Sequence, residues 1–172
     1  VAFCEEMRRL RSDIVFGADI IAGFPTETDE MFENTLALVG EVGLTYLHVF
    51  PYSARKGTPA ARMPQVKKEL RKERAERLRK AGEIQLQRYL ESRIGTEDAI
   101  VIEQDGTGRT RGFAPVRLEQ MHPPGTLLPV HITGLEQGML RGHVIPALRR
   151  DLRVTGTIPG DPGVVAQSGV TL

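Results

Sequence analysis

The hydrophobic period of this 172-residue chain changes at Gly95, and that change rules out one uniform architecture. Upstream, apolar residues fall in short continuous runs or at three-to-four-residue spacing, the marks of buried strands and amphipathic helices. Downstream, they alternate with polar residues in short segments at roughly 10-residue intervals, punctuated by Gly and Pro. The sequence therefore predicts an α/β part followed by an all-β part.

Phe3, Met7 and Leu10 share one helical stripe, and Ser12-Asp13 ends that helix. The run Val15 to Ala22 is apolar almost throughout, as in a parallel strand buried on both faces. Gly23-Phe24-Pro25 then breaks it. Thr28 is a candidate cap for the next helix, with Asp29 and Glu30 in its first turn and Phe32, Leu36 and Val39 on one face. Gly43 closes that helix and Tyr46 to Phe50 forms a second strand, completing a βαβ unit. One such unit is not a stable domain, so further sequence is expected upstream. Pro51 to Pro64 reads as irregular loop.

Residues 67–93 read as a helix joining the two parts, with ten Lys and Arg against five Glu. Its charges either form a solvated face of four-apart pairs, Glu69/Glu73/Arg77 and Glu76/Lys80, or meet a polyanion. Beyond Gly95, strands are expected at Ala99 to Ile102, Arg109 to Leu118, Leu127 to Ile132 and Met139 to Ile145, forming a compact barrel. The expected division is 1–66, a partial (β/α) domain; 67–93, the basic connecting helix; 94–148, the barrel; and 149–172, a flexible tail.

Cys4 is the only cysteine, which excludes an internal disulfide and any thiolate cluster held by this chain alone, and suits a reducing cytosol. No stretch approaches the roughly 20 apolar residues of a membrane helix, and no secretory leader opens the chain.

The exit of the first strand is a candidate ligand site. Gly23 permits close backbone approach and Pro25 fixes the exit angle, while Asp19 and Glu27 offer carboxylates. A plain turn, with Thr28 capping and Glu27 in water, is the alternative. Neither GxxxxGK[ST] nor GxGxxG is present, which disfavours a phosphate loop. Tyr52, Ser53 and Arg55 leave the second strand together and suit a nucleotide or a structural loop. His48 sits between apolar neighbours as a buried structural histidine would. His122, His131 and His143 lack metal spacing, and Cys4 has no partner base. Arg109, Arg111, Phe113 and Arg117 fall at even spacing on one expected strand, where they would share a face for RNA backbone contact and base stacking or form a plain polar surface.

Asp19-Ile20-Ile21-Ala22-Gly23-Phe24-Pro25-Thr26-Glu27-Thr28 resembles the DIIxGFPxET signature of radical S-adenosylmethionine methylthiotransferases. Leu47 to Ser53, with Arg55, Gly57 to Ala61 and Met63-Pro64, is similar to the LHVFPYSxRxGTPAAxMP stretch of the tRNA threonylcarbamoyladenosine branch. Gly108 to Thr110 with Phe113 to Arg117 resembles the TRAM domain, an RNA-binding β-barrel.

The resemblance implies the C-terminal part of an open TIM-like (β/α) radical domain followed by TRAM. It implies cytoplasmic methylthiolation at C2 of N6-threonylcarbamoyladenosine 37 in the tRNA anticodon stem-loop, with S-adenosylmethionine and two 4Fe-4S clusters. Asp19, Gly23, Phe24, Pro25, Glu27, Tyr52 and Ser53 would then line the cofactor pocket, while Arg109, Arg111, Phe113 and Arg117 would meet RNA. The family's CxxxCxxC triad is absent here, so this stretch alone should hold no cluster and catalyse nothing. A non-catalytic RNA-binding module and a sibling enzyme acting on a ribosomal protein are the alternative readings.

Overall fold

A computed structural model describes residues 1–104 and 106–146. The expected tail at 149–172, and the last residues assigned to the barrel, lie outside the described residues. The chain order is α1 (Ala2–Leu10), β1 (Phe16–Ala22), α2 (Asp29–Val42), β2 (Leu44–Pro51), a 3-10 turn (Pro59–Arg62), α3 (Lys68–Ser92), β3 (Glu97–Ile102), β4 (Thr107–Thr110), β5 (Pro115–Leu118), β6 (Leu127–Glu136) and β7 (Met139–Val144).

β1 and β2 pair in parallel, with Asp19 opposite His48 and Ile21 opposite Phe50. The local signals between them act as the sequence predicts. The Thr28 hydroxyl accepts from the Met31 amide at 3.2 Å, and Gly43 ends α2 at φ 65°. Phe32 and Val39 of α2 join Ala22, Val49 and, from α3, Ala75 and Leu78 in one apolar core.

That core covers one face of the pair only. Gly17, Asp19, Ile21, His48 and Phe50 are exposed on the other, with Ile21 and Phe50 each 54% accessible. The expectation of a strand buried on both faces is corrected accordingly, and with it the buried position given to His48. The irregular stretch after β2 also contains order, because Thr58 caps the 3-10 turn and Pro59 begins it.

β3 to β7 close a barrel in the order β3-β4-β5-β7-β6. Its ladders are antiparallel except β5 with β7, which run parallel. Ile100, Ile102, Val116, Val130, Ile132 and Leu140 fill it, and Leu90 of α3 seals it. The single expected strand from Arg109 to Leu118 is two strands. A turn at Arg111 to Ala114 separates β4 from β5, with Phe113 at φ 63°.

That turn fastens the barrel to the first unit. The Gly112 carbonyl accepts from the hydroxyls of Tyr46 at 2.8 Å and Tyr89 at 3.4 Å. A Cβ at Gly112 would overlap the Tyr89 hydroxyl and crowd Val15, so a side chain there would displace one of the two tyrosines from the carbonyl. The barrel therefore meets β1 and β2 at the ends where those strands begin.

The four-apart charge pairs expected along α3 do not form ion pairs. Arg77 instead reaches across to Glu33 of α2 at 2.7 Å. Other α3 arginines point inward, and these shape the site.

Candidate functional site

The two strand exits meet. The Tyr52 amide donates to the Ala22 carbonyl at 2.8 Å, and the Phe24 and Tyr52 rings stack edge-on with centroids 5.3 Å apart. Beside them opens a cleft of about 480 Å³ lined by Ile21, Phe50, Pro51, Tyr52, Ser53, Arg55, Thr58 and Ala60. Its walls are apolar on the sheet side, with hydroxyls and one guanidinium on the loop side. Such a mixture suits a ligand with a flat apolar part and a charged or hydroxylated end.

Of the residues expected to bind a cofactor, Tyr52 and Ser53 line this cleft, and Phe24 packs against Tyr52. Asp19 lies farther down the open sheet face, level with His48. Gly23 and Pro25 are buried in the turn. Glu27 points inward rather than to water, and its Oε2 accepts from the Gly23 amide at 2.9 Å and from Arg74 Nη1 at 2.6 Å. Its carboxylate closes the turn.

Two α3 residues that sequence reasoning missed hold this arrangement. Arg74, only 2% exposed, pairs with Glu27 and with Asp29 at 2.5 Å, and its guanidinium lies over the Phe32 ring. Arg71 donates to the Tyr52 carbonyl at 2.6 Å, and its stem occupies the space a Gly23 side chain would need. Their partners lie 19 to 47 residues away, beyond any local pattern.

On the barrel, Arg109 and Arg117 share the outer face, but from two strands rather than one, with Arg109 opposite Pro115 and Thr107 opposite Arg117. Arg111 and Phe113 belong to the turn. The one-strand face is corrected because the chain reverses at Gly112, where Tyr46 and Tyr89 capture the backbone. Arg109 is engaged with Glu103 at 3.0 Å, and Arg111 with the buried Asp98 at 3.1 Å. Phe113 is 67% exposed. Arg117 has no ion-pair partner among the described residues. It stands level with Arg141 of β7, and the two line a cleft of about 320 Å³ with Glu136, Gln137 and Met139. Arg141, ion-paired to Glu136, escaped sequence reasoning, which took the arginines of one expected strand as the RNA face. His131 and His143 are neighbours on the same outer side, rings 5.6 Å apart.

Among the described residues no group of three or more His, Cys, Asp and Glu side chains comes together to hold a metal. No helix among them is long and apolar enough to cross a membrane.

Similarity to known proteins decides the family. The chain is 48% identical over 141 residues to the threonylcarbamoyladenosine tRNA methylthiotransferase of Rickettsia prowazekii, covering 82% of this chain and 34% of the relative. It is 37% identical over 145 residues to the tRNA-2-methylthio-N(6)-dimethylallyladenosine synthase of Bartonella bacilliformis, covering 80% and 32%. The chain belongs to the methylthiotransferase family. It spans about a third of the length of the curated methylthiotransferases it matches. No family model matches it.

Proposed function

We propose that this chain forms part of a cytoplasmic tRNA methylthiotransferase acting at C2 of N6-threonylcarbamoyladenosine 37. In this reading β1, α2 and β2 belong to an open TIM-like (β/α) domain, and the closed barrel is the TRAM-type RNA-binding unit. The observation that carries it is the 48% identity to the threonylcarbamoyladenosine relative, against 37% to the dimethylallyladenosine one.

The strand-exit cleft fits S-adenosylmethionine in kind. Ile21 and Phe50 offer an apolar wall to an adenine, Tyr52 a ring edge, Ser53 and Thr58 hydroxyls, and Arg55 a guanidinium for a carboxylate. Bound there, one molecule of S-adenosylmethionine would donate a methyl group and another, reduced by one electron from an iron–sulfur cluster held outside this stretch, would supply the 5′-deoxyadenosyl radical. The chain's own part is to bind and orient: the Gly23 to Glu27 turn sets the cleft rim, and the apolar sheet face keeps water from one side. The side chains present do not fit an iron–sulfur cluster, since Cys4 is a single thiol. By itself this stretch is inactive in the proposal.

On the RNA side, Arg117 and Arg141 would meet phosphates of the anticodon stem-loop, with the exposed Phe113 ring open to a base.

Mass spectrometry of tRNA nucleosides from a strain lacking the gene tests the assignment. Loss of 2-methylthio-N6-threonylcarbamoyladenosine with accumulation of its unmethylthiolated precursor is expected. Unchanged content removes the assignment, and loss confined to dimethylallyladenosine derivatives moves it to the sister branch.

A further inference from the structure

Most basic side chains of α3 face water, but Arg71 and Arg74, one turn apart, are turned onto the two strand exits. A guanidinium as buried as that of Arg74 is costly to desolvate, and neighbouring α3 positions meet the same core with Ala75 and Leu78. Burial alone therefore does not explain the charge. What it achieves is geometric. Arg74 grips Glu27 by side chain and, at 3.0 Å, by backbone carbonyl, and Glu27 in turn holds the Gly23 amide. Arg71 grips the backbone of Tyr52 and packs on Gly23. Between these points the chain carries Thr26 at φ 71°, a conformation that a β-branched residue keeps only when its surroundings impose it.

We propose that Arg71 and Arg74 are positioning residues of the strand-exit cleft, fixing the Gly23 to Glu27 turn and the Tyr52 backbone to each other. The Tyr52 ring, backed by Phe24, then presents a pre-set wall to the ligand, so ordering is not charged against binding. The inference rests on the reading of that cleft as the S-adenosylmethionine pocket.

Two readouts test it, with Arg74→Met, Arg74→Lys and, as control, Leu78→Ala on the same helix. The first is amide exchange of Gly23 relative to the β1 strand amides, measured in the full-length protein that carries this chain. Arg74→Met should accelerate it about tenfold, the equivalent of one lost charge-assisted hydrogen bond, and Arg74→Lys should restore part. The second is kinetics in the cluster-loaded enzyme that carries this chain. There Arg74→Met should raise KM for S-adenosylmethionine about tenfold with kcat within about twofold, as expected when pre-organisation is lost. Leu78→Ala should lower the thermal midpoint without raising that KM.

Unchanged Gly23 exchange in Arg74→Met overturns the proposal, as does a KM rise no larger than that of Leu78→Ala. Should the wild-type enzyme not use S-adenosylmethionine, the functional reading falls by itself, and the exchange arm alone decides whether the arginines hold the turn.

Discussion

The joint between barrel and sheet includes one carbonyl shared by two tyrosines, and a double-mutant cycle reads its contribution. Tyr46 donates to Gly112 at 2.8 Å, whereas Tyr89 approaches the same oxygen at 3.4 Å, beyond good hydrogen-bond distance. Tyr46→Phe removes the good bond and should cost about 1 kcal/mol. Tyr89→Phe removes a marginal one and should cost under roughly 0.5 kcal/mol. Each single variant leaves the carbonyl one donor, but the double variant leaves it none in a partly buried site. That unsatisfied acceptor adds ~1 kcal/mol, so the double variant should lose about 2.5 kcal/mol, with a coupling near ~1 kcal/mol. For a urea dependence of about 2 kcal/mol per molar, the midpoint should fall by roughly 1 M. Far-UV circular dichroism is the suitable probe, since the chain has no Trp and the substitutions remove tyrosines. A strictly additive cycle, or Tyr89→Phe costing as much as Tyr46→Phe, refutes the shared-acceptor account.

Burial, reinforced by neighbouring Tyr89 and opposed by Arg109, pushes the Tyr46 phenol up to about 12. Its folded value exceeds the unfolded value near ~10, so the stabilisation is full below about pH 10 and is lost as pH rises towards 12. Urea midpoints should fall across that window, less steeply in Tyr46→Phe, and an equal slope in both proteins argues against this origin. Gly23→Ala places a Cβ against Arg71 at φ 72° and should destabilise by about 2 kcal/mol in calorimetry; a cost below about 0.5 kcal/mol contradicts the close approach. For RNA, Arg117→Gln should lower the salt slope of tRNA affinity by about 0.8, and Arg111→Gln or Arg141→Gln should change it less, because Asp98 and Glu136 already occupy those guanidinium groups. A larger effect from Arg111 would return the RNA face to the β4–β5 turn.

Much of the first unit was legible because its signals are local. A threonine before an acidic turn, a glycine after the last apolar position and a three-to-four spacing each act within one or two helical turns. Thr28, Gly43 and Phe32 behave accordingly. The misread elements depend on distant partners. Nothing between Arg109 and Leu118 announces a reversal with Phe113 at positive φ, because the hydroxyls that hold Gly112 come from residues 23 and 66 positions away. The even spacing of Arg109, Arg111, Phe113 and Arg117 continues through the break and mimics one strand. Likewise a basic helix with regularly spaced acids looks solvated until Glu27 is seen to collect Arg74. Apolar flanks suggested a buried His48, yet the covered face of β2 belongs to Leu47 and Val49. At the candidate site the motif residues were visible from the sequence, while the two arginines that brace them were not.

α3 begins beside the cleft at Arg71 and reaches the barrel joint at Tyr89, an interval of 18 residues, or about 27 Å of helix. In the proposed function the helix is thus a spacer of fixed length between the cofactor cleft and the RNA-binding barrel. A free nucleoside can occupy one surface but never both, whereas a folded polynucleotide can bridge them. In the proposed enzyme, selection by size would precede any reading of the base, and the helix would set the gauge.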